Sequence, residues 1–395
     1  MHRYKMITAF VAAALASTAH AYDLEDWPTH YTFGDGTDIG LVGVYRYDVN
    51  EFSDDRLPNG SHQFEDSNTN RRKELGLTLK KKGVYDAIVD YEYQGKTWLD
   101  TFLRIQSKAV FGKDYGAFRF GYTKTAVSFE GNTPTKADSF LELALPSQAI
   151  YENRRTGIDW AFERPQYIIN LGYYWGQDLL GDNDGTTAAG RIAWTPRKAD
   201  GDVIHLGVSA SREDRDSTTD GRGVSHPPSV TISTPPETGL TPIRLVSSGA
   251  LASTDHADRS GVEALWIRGP WSVQGEALQE NVSRYGGQPD FKASGFYAFG
   301  SWVVTGESRP YSNGNTNNIK PGGPWGALEL LLRYSEVDLN DQPIQGGKEH
   351  DWTVGANWYL TTHFKLQANY IWAKSDKGNL SLDPKIFELR AQIYF

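Results

Sequence analysis

The sequence contains no cysteine, so a small exported domain stapled by disulfides is excluded. It has no basic excess either. Asp and Glu outnumber Lys and Arg by 49 to 40, which argues against a nucleic-acid partner. Past the first 21 residues it holds no apolar run of the roughly 20 residues that a membrane helix needs. What it does have is aromatic. Trp, Tyr and Phe number 12, 21 and 17, and the 40 glycines follow no triplet period, so neither a disordered nor a collagen-like chain fits.

The N-terminus reads as an export signal. Arg3 and Lys5 precede the apolar stretch Met6 to Leu15, and Ala19-His20-Ala21 supplies a small-residue cleavage site. The apolar stretch is too short to span a bilayer, and no cysteine follows for lipid attachment. The expected division is therefore a signal peptide over 1–21 and one large domain over 22–395.

Hydropathy windows tuned to helices miss membrane β-barrels, whose strands alternate lipid-facing apolar and lumen-facing polar residues. That alternation is present. Phe387, Leu389, Ala391, Ile393 and Phe395 fall at every second position, with Glu388, Arg390, Gln392 and Tyr394 between them. The same period runs through Phe364 to Trp372, Leu328 to Tyr334, Tyr167 to Tyr173, Tyr85 to Tyr93 and Leu75 to Leu79. Sixteen strands are expected, near 38–50, 71–81, 84–94, 98–109, 115–124, 156–163, 166–175, 187–195, 203–212, 261–268, 271–282, 291–304, 325–336, 350–360, 363–373 and 386–395.

The connections between them alternate. Short ones fall at 82–83, 95–97, 164–165, 196–202, 269–270 and 361–362. Long ones fall at 51–70, 125–155, 176–186, 213–260, 283–290, 305–324, 337–349 and 374–385. Short turns at one end and long loops at the other are a barrel trait. A soluble sandwich would have to bury Asp86, Asp90, Glu92, Arg104 and Arg333 at several kcal/mol for each unpaired ion. A wet lumen removes that cost. Trp160, Trp194, Trp302, Trp358, Trp372 and Tyr394 lie near strand ends, where interfacial aromatic girdles sit. The apolar patch Phe140 to Leu145 in the long third loop would be out of place on an open surface, so this loop is expected to fold into the barrel with that side against the wall.

No phosphate-binding P-loop, G-x-S-x-G or H-E-x-x-H motif occurs. Asp182-Asn183-Asp184-Gly185 lacks the spacing and terminal Glu of a calcium loop and reads as a turn. No cofactor, metal or enzymatic activity is expected.

The chain end at Phe395, with its strand unfinished, resembles the C-terminal signature of bacterial outer-membrane barrels. Further stretches resemble the phosphate-selective porin O and P family: Phe291 to Tyr297, Thr305 to Tyr311, Gly326 to Glu329, Val354 to Tyr359, Asp202 to Gly207 and Arg222 to Ser225. They fall in family order along the mature chain. The resemblance implies an all-β fold, a transmembrane antiparallel barrel of about 16 strands with an inward-folded third loop. It implies a homotrimer in the outer membrane among lipid and lipopolysaccharide, passing small anions such as phosphate or polyphosphate. A general or cation-preferring porin is the alternative, and a barrel enzyme of the outer membrane a more remote one.

The resemblance also nominates site residues. Arg46-Tyr47-Asp48 matches the family's first strand and Arg71-Arg72 its second. Asp100 falls beside the constriction, and Lys365 on the next-to-last strand. Arg104, Arg119 and Lys124 join them as inward-facing charges, and Arg212, Arg215, Arg222 and Arg244 are candidates for the family's arginine ladder in loop five. The third loop departs from the pattern. Where the family supplies a Lys and an Arg, this chain has Gly131 and Asn132 and then Phe140 to Pro146, with Lys124 and Lys136 as the nearby bases. Weak, millimolar phosphate binding is the expected consequence.

Overall fold

A computed structural model describes residues 27, 29–175, 178–179 and 185–395. The signal-peptide reading and most of the Asp182–Gly185 turn lie outside the described residues. Sixteen long strands form the wall: β1 Thr37–Ser53, β2 Ser67–Lys81, β3 Tyr85–Glu92, β4 Thr97–Gln106, β5 Ala117–Lys124, β6 Arg154–Glu163, β7 Tyr167–Tyr174 and β8 Thr187–Ala199. They continue as β9 Asp202–Asp214, β10 Thr254–Arg268, β11 Trp271–Arg284, β12 Phe291–Val303, β13 Ala327–Asp341, β14 Ile344–Tyr359, β15 Phe364–Lys377 and β16 Lys385–Tyr394.

Each strand pairs antiparallel with its sequence neighbours, and β16 pairs with β1, so the sheet closes. Closure leaves no sheet edge in the hydrocarbon, the condition for a sheet to cross a membrane. The alternation does what the sequence requires. Leu75, Leu77 and Leu79 on β2, Leu206 and Val208 on β9, and Leu330 and Leu332 on β13 face outward and are exposed. Arg46, Asp48, Glu263, Glu329, Arg333 and Arg390 face inward and are buried.

Four expectations need correction. First, the last strand, expected from its unfinished end to close on strand one near Ile39 to Asp48, meets β1 further along, over Val44–Ser53. It ends at Tyr394, and Phe395 then donates its N–H to the Gly43 carbonyl at 3.1 Å. The edge of β1 left over is covered by the short strand His30–Thr32, which pairs Tyr31 with Ile39. Second, Tyr394 is 5% exposed, in the inward row with Gln392, so it is no girdle residue. Trp194, Trp302 and Trp372 do stand exposed on the outer face, Trp302 stacked on Trp271 at 5.1 Å. Third, most of the connections expected at 196–202, 337–349 and 374–385 are strand. The β13–β14 hairpin turns on Gln342 and Pro343 alone, and the β8–β9 turn uses Gly201 at φ +68°.

Fourth, the 304–326 connection is not at the long-loop end. Counting strands up and down places it between β12 and β13, at the end of the short turns, while the short connection after β3 lies at the long-loop end. Length alone could not show this, because side is set by parity along the chain.

Candidate functional site

The barrel is not an open tube, because three connections enter it. The third loop, 125–153, crosses the lumen and packs its apolar patch on the wall of β11–β14. Phe140 and Ala144 cluster with Tyr297, Phe299 and Leu331. Leu145 and Ile150, on the short helix Leu145–Ile150, cluster with Leu278, Val282, Phe291 and Val337.

Polar wall residues fix the loop backbone. The Glu276 carboxylate on β11 accepts the N–H of Phe129 at 2.9 Å and of Glu130 at 3.3 Å, capping the turn Phe129–Asn132. Arg390 donates to the Leu141 carbonyl at 2.5 Å and to Glu142 at 3.1 Å. Arg333 reaches Glu130 at 3.3 Å and the Glu142 carbonyl at 3.1 Å, and lies 4.0 Å over the Phe140 ring. Burial raises the Glu142 carboxyl, but the Arg71 and Arg390 charges outweigh it and hold the group at about 2. Burial dominates at Glu130, which Arg333 offsets only in part, leaving it at about 7.

Loop five, 215–253, sends Glu237 down to Arg333 at 2.6 Å and Thr238 to Asn50. From the opposite end, the 304–326 segment reaches inward. Arg309 binds Glu329 and donates to the Ser139 hydroxyl at 2.7 Å, and Arg191 donates to the Gly314 carbonyl at 2.9 Å. Tyr311 bonds the imidazole of His205 at 2.6 Å.

What remains is a cavity of 370 Å³ along the inner wall of β1–β8, faced by the third loop and by Asn313 and Asn315 of the 304–326 segment. Of the residues singled out by sequence, Asp100, Arg104, Arg119 and Lys124 line it. Arg104 pairs with Asp86 at 2.7 Å, Arg119 with Asp159 at 2.7 Å, and Asp100 with Arg154 at 2.9 Å. Arg72 pairs with Glu74 at 2.6 Å.

A bulge in β2 opposite the Arg46–Tyr47 step makes Arg71 an extra residue, and it pairs inward with Glu142 at 3.1 Å. This is how two adjacent arginines serve one lumen. Arg46 and Lys365 do not line the cavity. Arg46 donates to the Thr135 carbonyl and to Asp138 at 3.4 Å, and Lys365 donates to the carbonyls of Lys136 at 3.2 Å and Asp138 at 3.1 Å. Both are buried under the third loop and hold it.

The loop-five arginines do not converge. Arg212 lies on the exposed face of β9 beside Asp214 and Asp258, while Arg222 and Arg244 are exposed on the loop. Arg215 alone lines a second cavity, of 260 Å³, which it shares with Arg154, Arg155 and Arg259 and with Glu152, Asp178, Glu213 and Glu280. Sequence reasoning missed Arg154, Arg155, Arg259 and Arg309. The first two form a pair at the start of a strand, the same signal that drew attention to Arg71-Arg72. Lys136, named beside Lys124 as a base near the third loop but not as a site residue, lines the main cavity.

The profile of the family described as phosphate-selective porin O and P matches residues 39–395. The chain belongs to that family. Porin O of Pseudomonas aeruginosa is 27% identical over 221 residues, 47% of this chain and 47% of its own. An uncharacterized protein of Caulobacter vibrioides is 26% identical over 261 residues, 62% of this chain and 50% of its own. The chain thus spans about half the length of the curated relatives it matches. Among solved structures, the anion-selective porin of Comamonas acidovorans superposes with a TM-score of 0.56 at 14% identity, covering 91% of this chain and 100% of that one. OmpF of Salmonella typhi, in complex with daunomycin, gives 0.59 at 11% identity, covering 93% and 100%. At such identities these structures show the fold alone.

Proposed function

We propose that the protein is a porin of the bacterial outer membrane, a passive channel for small hydrophilic solutes with a preference for anions. The observation that carries this is the charge left over in the main cavity. Most lining charges are paired, and selectivity follows the unpaired charges at the narrowest ring rather than the total. Lys124 donates to the neutral carbonyl of Thr133 at 2.7 Å, and the Lys136 ammonium has no carboxylate within 4.0 Å among the described residues. Two lysines therefore stand against one carboxylate without an ion pair, Asp90.

Family membership and the closed barrel support a channel rather than an enzyme, and the alternating outer face supports the outer-membrane location. Export by a cleaved signal over 1–21, assembly as a homotrimer, and lipid and lipopolysaccharide as surroundings belong to the same reading. Phosphate is expected to pass and to bind weakly, because Arg46 and Lys365 are engaged by the third loop. Reversal potentials in a KCl gradient across a planar bilayer test the proposal. Anion preference is the expected outcome, and a cation-preferring channel would overturn it.

A further inference from the structure

The main cavity carries charges of both signs that no ion pair neutralises. On the β2–β4 wall it is lined by three carboxylates, Glu74, Asp90 and Asp100. Arg72 takes the first at 2.6 Å and Arg154 the third at 2.9 Å. No cationic nitrogen among the described residues stands within 4.0 Å of Asp90, and its Oδ1 has no hydrogen-bond partner. Opposite Asp90 on β2 is Gly76, where a Cβ would come within 3.0 Å of that oxygen. The glycine leaves the carboxylate room. The same cavity is lined by Lys136 of the third loop and by Lys124, the last residue of β5. The third loop's carboxylates do not line this space: Glu130 turns to Arg333, Glu142 to Arg71 and Arg390, Asp138 to Arg46 and Glu152 to Arg155. The passage is thus lined by one carboxylate without an ion pair, on β3, and by two ammonium groups without one, from the end of β5 and from the third loop.

We propose that this channel is suited to dipolar solutes, small molecules with an anionic group at one end and an ammonium at the other, of which amino acids are the simplest. The proposal rests on the channel reading above and names its solute class. A solute entering a narrow, partly desolvated passage gives up water at each charged end. A dipolar solute recovers that loss at both ends, its carboxylate at Lys124 and Lys136 and its ammonium at Asp90. A simple anion recovers it at the lysines but is repelled by Asp90, most strongly if it is doubly charged. An uncharged solute gives up no such water, but neither kind of group draws it into the passage.

Proteoliposome swelling tests this with γ-aminobutyrate against butyramide, an uncharged molecule of similar size, alongside reversal potentials in a KCl gradient. The wild-type protein should admit γ-aminobutyrate about threefold faster than butyramide, the scale of one wet ion contact. Asp90→Asn should abolish that preference and raise chloride over potassium permeability. Lys136→Gln should abolish the preference too, while moving the permeability ratio the other way. Such opposite shifts are not produced by general loosening of the barrel, and heat-modifiable mobility on gels checks folding of each variant. Equal entry of the two solutes in the wild type, or a preference that survives Asp90→Asn, would overturn the proposal while leaving the channel reading intact. Absence of any ionic conductance would overturn both.

Discussion

Truncating Phe140 to alanine tests whether the third loop is a fixed wall of the channel. The ring is 1% exposed, meets Phe299 edge-on with centroids 5.4 Å apart, and lies under the Arg333 guanidinium at 4.0 Å. Removing such a ring costs about 3–5 kcal/mol where the surroundings do not collapse. Water can refill part of this space from the lumen, so about 2–3 kcal/mol is the working figure. Phe140 belongs to no strand, so the loss falls on docking of the loop and not on the barrel. At 1.4 kcal/mol for each tenfold, the ratio of docked to undocked loop should fall by a factor of about 30 to 150. Single-channel recordings should then show flicker to a wider state, or a higher mean conductance, where the wild type is quiet. Phe140→Leu keeps most of the contact and should resemble the wild type. A Phe140→Ala protein that inserts normally, with heat-modifiable mobility and an unchanged, quiet conductance, would refute the reasoning.

Removing residues 130–148 outright should raise conductance further, and an unchanged conductance in a folded deletion would contradict the inward loop as the constriction. Deleting Phe395 takes away its bonds to Gly43 and its contact with Trp27, at 5.8 Å between ring centroids. Folded protein in the membrane should drop sharply, as read from the heat-modifiable band. Arg46→Gln should raise current noise without moving the reversal potential, because the guanidinium is spent on Thr135 and Asp138, whereas Lys136→Gln should move the potential toward cations. Phosphate should block chloride current at millimolar levels, and micromolar block, a gap of roughly 4 kcal/mol, would show a tight site that the present pairing excludes.

All sixteen strands were legible in the sequence, because a barrel wall is specified locally. One face meets lipid, the other water, and the period of two records that choice at every residue. The inward loop was legible for the same reason, since six consecutive residues from Phe140 to Leu145 rich in apolar side chains need a wall to cover them. The site was legible only in part. Arg104, Arg119 and Arg46 occupy equivalent inward positions, yet two line the cavity and one lies beneath a loop. That difference depends on which stretch of wall the loop chooses, a long-range matter that no strand records. Arg71 was inward for a reason invisible in the sequence, a one-residue bulge. The entry of 304–326 was missed because its length was taken as a sign of side.

The third loop also holds the two ends of the wall together. Its backbone and side chains between Thr135 and Glu142 are gripped by Arg46 and Arg71 from the first two strands and by Lys365, Arg390 and Gln392 from the last two. Arg390 itself reaches across the closing seam to Asp48 at 2.6 Å. The apolar patch rests on β11–β14, but this second set of grips is complete only when the final strand has met the first. Full seating of the loop therefore reports that the wall has closed. Once seated, the loop acts as a clasp over the one line in the wall where the chain's beginning and end must find each other without a turn to join them.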